Sequence, residues 1–310
     1  MGRGLFPLPD GVVDLLARCT FPPRGAPIDC AVSGGPDSLA LLVLAAAAGC
    51  EVTAWHVDHG LRPGGDKEAA IVSDAASRLG ADSRSVTLHL DAGPNLEARA
   101  RAARLAALPA GVATGHTADD QAETILLNLL RGSGLNGLAG MRPGFRHPIL
   151  RLRRSETTAL VRALDLDPVH DPTNDSPVHR RNRVRHELLP LAAEIAGRDL
   201  VPVLTREAEL LAAEADMLDS LAAALDPTDA SAIAAAPIGL ARRAVRQWVR
   251  ANGPGHGHPP SAASVERILT VARGETRSCQ IEGGHKIVRS KGRLRLELAE
   301  LAVQGGDATK

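Results

Sequence analysis

The chain has 310 residues, with 36 basic and 36 acidic side chains and 44% hydrophobic residues. This size allows one large or two medium domains, and the zero formal charge neither requires nor excludes a nucleic-acid partner. The four scattered cysteines form no Cys-x-x-Cys pair, and the longest apolar run, Leu39 to Cys50, is too short to span a bilayer. We therefore expect a cytoplasmic protein with reduced cysteines, no zinc site and no secretory segment.

The first half of the sequence alternates strand patterns with helix patterns. Apolar runs predict strands at Ile28–Val32, Val52–Val57, Ser85–Leu90 and Gly111–Thr114. Helix patterns follow them at Leu39–Ala48, Lys67–Leu79, Leu96–Leu108 and Ala118–Leu130. This alternation predicts an α/β fold, a doubly wound parallel sheet with helices on both faces. Ligands bind such sheets at the carboxyl ends of the strands, so the loops after the strands should converge on one site.

The turn after the first strand has the composition of an anion-binding loop. It consists of Ser33, Gly34, Gly35, Pro36, Asp37 and Ser38. The glycines let an anion approach the backbone, and the start of the next helix adds partial positive charge. The Walker spacing and its lysine are missing, and an ordinary glycine turn is the simpler alternative. The pattern Ser-Gly-Gly-x-Asp-Ser resembles the pyrophosphate-binding loop (PP-loop) of the ATP pyrophosphatases, an adenine nucleotide alpha-hydrolase-like fold. That resemblance implies ATP as a cofactor, cleaved between the α and β phosphates.

The second strand ends in a polar stretch that reads His-Val-Asp-His-Gly-Leu-Arg from His56 to Arg62. Side chains alternate along a strand, so His56 and Asp58 should share one face near the site. Taken alone, the stretch is better explained as a polar strand end. It is very similar to the string that closes this strand in the tRNA(Ile)-lysidine synthetases. The resemblance implies that His56 contacts ATP and that Asp58 takes part in catalysis.

The next helix begins with a capping pattern. Asn95 suits the N-cap, and Glu97 and Arg101 stand one turn apart, as in any capped surface helix. The lysidine synthetases have a similar Asn-x-Glu-x-x-Ala-Arg segment, which implies that Asn95 and Arg101 belong to the substrate site. The chain departs from the family at Leu105, where a tyrosine is usual, and it contains no tyrosine at all.

A second strong motif follows the fourth strand, from Thr114 to Thr124. Asp119 and Asp120 stand at the start of a helix, where the dipole stabilises carboxylates and where one of them can serve as a cap. A site for ATP needs oxygen ligands for Mg²⁺, and we expect Asp120 and Asp37 to bind the metal or the lysine amine. The motif resembles the same family, which implies that Gly115 contacts ATP and that His116 is catalytic. Thr117 stands where many members have a second histidine.

A third motif joins an Asp-Pro-Thr-Asn loop to an arginine-rich helix. Pro172 displays the loop residues in an extended turn, while Arg181 and Arg185 stand one turn apart and can form a fork for phosphates. A solvated basic helix is the alternative. The combination is the lysidine synthetase pattern, and it implies a lysine or tRNA site with Arg185 also catalytic. The residues implied in that site are Asp171, Asn174, Arg181, Asn182 and Arg185.

The second half of the chain changes to helices rich in alanine, leucine and arginine. Short strands are predicted near its end, at Gln280–Ile281, His285–Arg289 and Arg293–Leu298. We predict a PP-loop catalytic domain at 1–145, with 1–25 as an N-terminal helix or extension, and a mostly helical, arginine-rich tRNA-binding domain at 146–303. Residues 304–310 are expected to be disordered.

One helix of the second half carries a basic stripe around a tryptophan. Its charged residues are Arg242, Arg243, Arg246 and Arg250. Two interpretations explain this pattern equally well. In the first, the arginines contact the tRNA backbone and Trp248 is a stacking platform; in the second, the arginines form a solvated face and Trp248 lies in the core. The alternating Arg289, Lys291, Arg293 and Arg295 present the same choice.

The resemblance implies one reaction, the ligation of L-lysine to C2 of the wobble cytidine in the CAU-anticodon isoleucine tRNA. The cytidine is first adenylated, ATP becomes AMP and pyrophosphate, and Mg²⁺ on Asp37 and Asp120 assists. His116, Asp58 or the Asp119–Asp120 pair would accept the amine proton. A tRNA 2-thiolation enzyme is the main alternative, disfavoured because the cysteines are not paired. A nucleotide sensor, an RNA-binding protein and a small-molecule ligase are further alternatives, and the oligomeric state, a homodimer included, stays open.

Overall fold

The computed structural model describes residues 9–58, 65–88, 96–169, 178–253 and 260–299, with the backbone alone at 96–98, 100 and 101. The chain forms two compact units, Met1–Ala212 and Ala213–Lys310. The predicted functional division at residue 145 stays a prediction. No described helix is both long enough and apolar enough to cross a membrane.

The first unit is built on a four-stranded parallel sheet in the order β3-β2-β1-β4. Its strands are β1 (Pro27–Ala31), β2 (Glu51–Asp58), β3 (Asp82–Thr87) and β4 (Ala113–Thr114). The helices that alternate with them are α1 (Val12–Leu16), α2 (Pro36–Ala47), α3 (Gly65–Arg78), α4 (Leu96–Ala107) and α5 (Ala118–Leu130). The predicted α/β fold with a parallel sheet is confirmed.

The core of this unit is centred on α2. Residues 38–45 of that helix are all buried, because α2 packs on β1 and β2 on one side and on a later helix, α7 (Arg154–Ala163), on another. A helix that is apolar all round needs such cover. The edge strand β3 is mostly exposed and begins three residues before the predicted start at Ser85. Asp82, Ser83 and Arg84 carry no apolar signal, so periodicity alone did not reveal them.

The rest of the unit is helical. After α6 (Leu135–Leu138) and α7, the chain continues through α8 (Arg180–Arg183), a π-helical turn at Val184–Leu188 and α9 (Leu189–Ala196). The unit ends within α10 (Val201–Ala223), whose residues from Ala213 onward belong to the second unit. The π-helical turn holds Arg185. Single π turns interrupt helices at a cost and are frequent at functional sites.

The second unit packs helices on a small antiparallel sheet of order β5-β6-β7. Its elements are α11 (Ala230–Ala235), α12 (Ile238–Asn252), α13 (Ala262–Arg273), β5 (Ser278–Gln280), β6 (Lys286–Ser290) and β7 (Arg293–Glu297). Ile268, Ile287 and Leu294 are buried in its core, and Trp248 packs against that core from α12. The side chain of Trp248 therefore has a packing role, which the sequence alone did not distinguish from a role in stacking on tRNA.

Candidate functional site

The loop from Ser33 to Ser38 is stabilised by its own hydroxyl groups. Ser38 Oγ donates to the carbonyl of Gly35 at 2.9 Å and accepts from the backbone N–H of Ser33 at 3.1 Å. Ser33 Oγ lies 3.3 Å from Ser38 Oγ. Pro36 begins α2, and Asp37 stands in its first turn. The loop is therefore held in shape before any ligand arrives, and the N-terminus of α2 presents backbone N–H groups to an anion.

Two glycines of this region have no room for a side chain. Gly34 has φ +84°, and a Cβ there would lie 2.8 Å from Val169 Cγ2. Gly115 follows β4, and a Cβ on it would lie 2.7 Å from the carbonyl oxygen of Asp37. The loops after β1 and β4 therefore touch through backbone, as the convergence of strand ends predicts.

A buried carboxylate, Glu123 on α5, organises the charges beside the loop. Its side chain is 1% exposed, and three guanidinium groups surround it. Arg181 Nε and Arg185 Nε each lie 2.7 Å from a carboxylate oxygen of Glu123. Arg154 Nη1 lies 3.1 Å from Oε1. Because a buried charge is costly unless it is paired, these contacts fix the positions of three arginines from α7, α8 and the π-helical turn.

Arg154 connects this group to the loop. Its guanidinium contacts Asp120 Oδ1 at 3.0 Å and Asp37 Oδ2 at 3.4 Å as well as Glu123, and its backbone N–H donates to Asp119 Oδ2 at 2.8 Å. Burial lowers the pKa of Arg154, but the surrounding carboxylates outweigh it and raise the pKa above the ordinary value. Arg154 therefore stays charged and holds the loop and α5 together.

Asp37 and Asp120 occupy different environments. Burial raises the pKa of Asp37 above its usual value, although Thr157 Oγ1 donates to Oδ1 and Arg154 lies close. Asp120 is also buried, but Arg154, Arg181 and the backbone N–H of Thr117 together lower its pKa. Its Oδ2 accepts from the N–H and the hydroxyl of Thr117, both at 2.9 Å, so Asp120 also caps α5.

The four carboxylates and four arginines of this region form what we call the ion cluster. Asp119 is bound by Arg153, whose Nε lies 3.2 Å from Oδ2. The members are Asp37, Asp119, Asp120, Glu123, Arg153, Arg154, Arg181 and Arg185. Their formal charges balance, so the ion cluster is neutral as a whole and can exchange partners with a ligand of either sign.

A cavity of about 500 Å³ lies over the loop and part of the ion cluster. Its lining includes Ser33, Asp37, Gly115, His116, Asp120, Arg154 and Arg185. Apolar residues from α4 and from the segment between α4 and β4 line another part of it, among them Leu105, Leu108 and Val112. A cavity with an apolar wall and converging charged groups is typical of a small-molecule site.

Other predicted residues lie at the periphery or outside the description. His56 is 2% exposed, its Nδ1 lies 3.1 Å from the carbonyl of Val32, and its Nε2 has no partner among the described residues. The carboxylate of Asp58 lies against Gly65 at the start of α3, and Asn182 is buried in α8. Asn95, Asp171 and Asn174, and the side chain of Arg101, lie outside the described residues.

The carboxylates beside the loop are the candidate ligands for a metal ion. Among the described residues, no three His, Cys, Asp or Glu side chains are grouped as a metal site. Asp37 suits an ion that takes most of its ligands from phosphate oxygens and water, as Mg²⁺ does in nucleotide sites. Asp120 already accepts from Thr117, Arg154 and Arg181 in this arrangement. A metal contact at Asp120 therefore requires the arginines to move first.

Sequence reasoning did not assign a role to several residues that shape this site. Glu123 stood inside the Thr114–Thr124 motif one turn after Asp120, and that spacing was the available signal. Arg154, Thr157 and His147 lie in no stretch that sequence reasoning singled out. Their placement depends on how α7 and the segment before it pack on α2 and β4.

Comparisons with known proteins agree with this geometry. A family model described as the PP-loop domain matches residues 17–192, and one described as the TilS substrate binding domain matches residues 229–295. The tRNA(Ile)-lysidine synthase of Nocardia farcinica is 38% identical over 90% of this chain and 94% of its own. Those of Rhodococcus erythropolis and Mycobacterium bovis are each 39% identical over 79% of this chain and cover 80% and 81% of their own.

Proposed function

The chain belongs to the tRNA(Ile)-lysidine synthase family, and on that premise we propose that it joins L-lysine to C2 of the wobble cytidine in the CAU-anticodon isoleucine tRNA. ATP supplies the driving force and becomes AMP and pyrophosphate. The product would read AUA in place of AUG.

One observation carries the proposal, the contact of Arg154 with both the loop and the acids of α5. Its guanidinium contacts Asp37, Asp120 and Glu123, and Arg154, Asp37 and Asp120 line one cavity. A phosphate-binding loop and a group of carboxylates therefore face the same space. Lysidine formation needs this combination, because one co-substrate is a polyanion and the other a cationic amino acid.

The first step makes a poor leaving group into a good one. The C2 oxygen of cytidine attacks the α-phosphate of ATP, the bond to the β-phosphate breaks, and pyrophosphate departs. We propose that the phosphates are held by the loop and by Gly115, and that His56 supports the nucleotide site from beside Val32. The loop residues are Ser33, Gly34, Gly35, Pro36, Asp37 and Ser38. When bound, Mg²⁺ supplies charge neutralisation at the phosphates, and Asp37 is the residue that best fits as its protein ligand.

We propose that the ion cluster binds both co-substrates. When the phosphates of ATP arrive, Arg154 and Arg185 line the cavity and are placed to turn toward them. The carboxylates they leave are then available for the ammonium group of lysine. We propose that Asp120 binds the amine in this way and that Asp119, which keeps Arg153, contributes from beside it, while Arg181 keeps Glu123 paired at 2.7 Å. The exchange conserves charge, so no buried carboxylate is left uncompensated.

The second step is attack of the lysine amine on C2, with loss of a proton from the amine and departure of AMP. His116 lines the cavity and interacts with Asp120. Asp58 and the Asp119–Asp120 pair are the other proton acceptors that the residues offer. The tRNA residues proposed on the third motif are Asp171, Asn174, Arg181, Asn182 and Arg185, and Asn95 and Arg101 complete the proposed substrate site.

The thiol groups do not support tRNA thiolation. Burial raises the pKa of both Cys19 and Cys30 to about 12, so neither carries a thiolate near pH 7. Burial also raises the pKa of Cys50 and that of Cys279. A persulfide route needs an accessible nucleophilic sulfur, and burial opposes thiolate formation at all four cysteines.

The test is incorporation of radiolabelled lysine into unmodified isoleucine tRNA with the CAU anticodon, with and without ATP. We expect ATP-dependent labelling that falls at least 100-fold in Asp37→Ala and is unchanged in Glu209→Gln, an exposed matched control. AMP release on adding tRNA without lysine labelling would indicate base adenylation for another purpose, such as thiolation. If the folded protein shows neither lysine labelling nor AMP release, that result would contradict an enzymatic role.

A further inference from the structure

The hydroxyl of Thr114 at the end of β4 is surrounded by three polar partners. Its Oγ1 lies 2.7 Å from His116 Nδ1, 2.9 Å from His147 Nδ1 and 3.1 Å from the carbonyl oxygen of Arg146. The rings of His116 and His147 meet edge to face, with centroids 5.1 Å apart. Two imidazoles therefore share one hydroxyl group at the wall of the cavity.

Counting hydrogens determines which group donates to which. A hydroxyl has one hydrogen to donate and two lone pairs, a backbone carbonyl only accepts, and a neutral imidazole donates from one nitrogen alone. All three contacts are hydrogen bonds only if Thr114 donates to the Arg146 carbonyl and accepts from Nδ1–H of both His116 and His147. In any other arrangement two oxygen atoms with no hydrogen between them stay at 3.1 Å.

We infer that Thr114 is a positioning residue that holds His116 in its Nδ1–H tautomer, so that Nε2 is the nitrogen that accepts a proton. This inference rests on the proposed function in one respect, the choice of His116 as the base for the lysine amine. The tautomer itself is a property of the protein alone. It makes His116 the acceptor among those named above, since Asp119 and Asp120 are the proposed counter-ions of the ammonium group and the carboxylate of Asp58 lies against Gly65.

His147 supports the arrangement without adding charge. Burial, the neighbouring ring of His116 and Arg146 lower the pKa of His147 to about 4, so it is neutral near pH 7. A neutral His147 donates Nδ1–H to Thr114 and occupies the second lone pair of the hydroxyl. The hydrogen of that hydroxyl then has the Arg146 carbonyl as its acceptor.

Nitrogen NMR of the ¹⁵N-histidine-labelled full chain at pH 8 tests the tautomer directly, and two other histidines provide references. His56 donates from Nδ1 to the Val32 carbonyl, whereas His285 Nδ1 accepts the backbone N–H of Ala299 at 2.8 Å. We expect the two ring nitrogens of His116, assigned with a His116→Gln variant, to show the His56 pattern. A His285 pattern for His116 in the unmodified protein overturns the inference, whatever the enzyme's activity.

Variants of Thr114 test whether its hydroxyl is what fixes the tautomer of His116. Thr114→Val removes the hydroxyl and keeps the β-branched shape that suits a strand. We expect the His116 signals to move toward the His285 pattern and lysine transfer to slow about ten-fold, a fraction of what a general base contributes, with the KM for ATP unchanged. Thr114→Ser should restore both readouts. Thr205→Val, whose hydroxyl donates to Val201 within α10, is the matched control.

The outcomes separate the two proposals. If Thr114→Val leaves the His116 tautomer unchanged, Thr114 is not the positioning residue. If the tautomer follows the hydroxyl but no variant forms lysidine, the inference stands and the proposed function fails. If Thr114→Val does not fold, the spectra of the unmodified protein and of Thr114→Ser still show whether His116 carries its proton on Nδ1.

Discussion

The PP-loop and the ion cluster meet at Asp37 and are built in opposite ways. The loop is six consecutive residues that hold one another through backbone and hydroxyl contacts. The ion cluster takes its side chains from α2, α5, α7 and the residue before it, α8 and the π-helical turn, and Asp37 and Arg154 are 117 positions apart. A local backbone device can be identified from sequence, whereas the partners of a distant charge are decided only when the chain folds.

The strongest test of this contrast is Glu123→Gln. Glu123 is the most buried member of the ion cluster and pairs with Arg154, Arg181 and Arg185. Removing one partner of a buried ion pair typically costs about 3–5 kcal/mol, because the remaining charges are left uncompensated. We expect a loss of that size in urea unfolding at pH 7, with lysine incorporation abolished.

The matched control for Glu123→Gln is Glu209→Gln. Glu209 pairs with Arg151 at 2.9 Å, but both side chains are about half exposed. Exposed pairs contribute roughly 0–1 kcal/mol, so this variant should unfold close to the unmodified protein. Equal losses in the two variants would mean that burial of Glu123 has no special weight and that the ion cluster is an ordinary surface network.

The next test separates backbone strain from ligand contact in the loop. Gly34→Ala places a side chain at φ +84° and 2.8 Å from Val169, whereas Gly111→Ala places one at φ +82° with nothing within 4 Å. Gly111→Ala should lose about 1–2 kcal/mol of stability, because the left-handed region disfavours a Cβ, and Gly34→Ala should lose more, because Val169 must also move. Only Gly34→Ala should weaken ATP binding, by at least ten-fold in calorimetric titration. Comparable weakening in both would show that the loop geometry is not what binds ATP.

These contrasts explain how far sequence reasoning reached. The parallel sheet, the PP-loop and the helix start at Asp119 and Asp120 followed from local periodicity and motif, and the sheet order agrees with them. Sequence spacing showed that Arg181 and Arg185 share a helix face, but not that Glu123 and Asp120 are their partners. Arg154 had no motif at all, since its role depends on α7 packing against α2.

A smaller effect is expected from His147, another residue that only the fold identifies. Its pKa falls from an unfolded value near 6.5 to about 4 through burial, His116 and Arg146. Between these values the unfolded chain binds the proton and the folded chain does not, so stability falls as the pH drops from 6.5 to 4. The ring is partly exposed, so we expect a contribution of about 1–2 kcal/mol rather than the full value of the shift.

The comparison variant for that pH effect is His147→Gln, whose amide can still donate to Thr114. Its unfolding free energy should fall less than that of the unmodified protein between pH 7 and pH 4. His186→Gln, at an exposed position in the π-helical turn, should show the unmodified dependence. Identical pH dependence in all three proteins would mean that His147 titrates alike in the folded and unfolded chains.

The test with the smallest expected effect extends the contrast to α12, where residues with the same spacing again differ in their ion pairs. Arg242, Arg246 and Arg250 stand one turn apart, yet Arg242 is paired with Glu266 at 2.6 Å, while Arg246 and Arg250 form no ion pair with any described residue. If this stripe contacts tRNA phosphates, Arg246→Gln should reduce the slope of log affinity against log salt by about 1 and weaken binding alike for different tRNAs. Arg242→Gln should change the slope less, because Glu266 already offsets its charge. Equal slopes for both variants would mean that the arginines of α12 are solvated and that only their spacing, not their contacts, was informative.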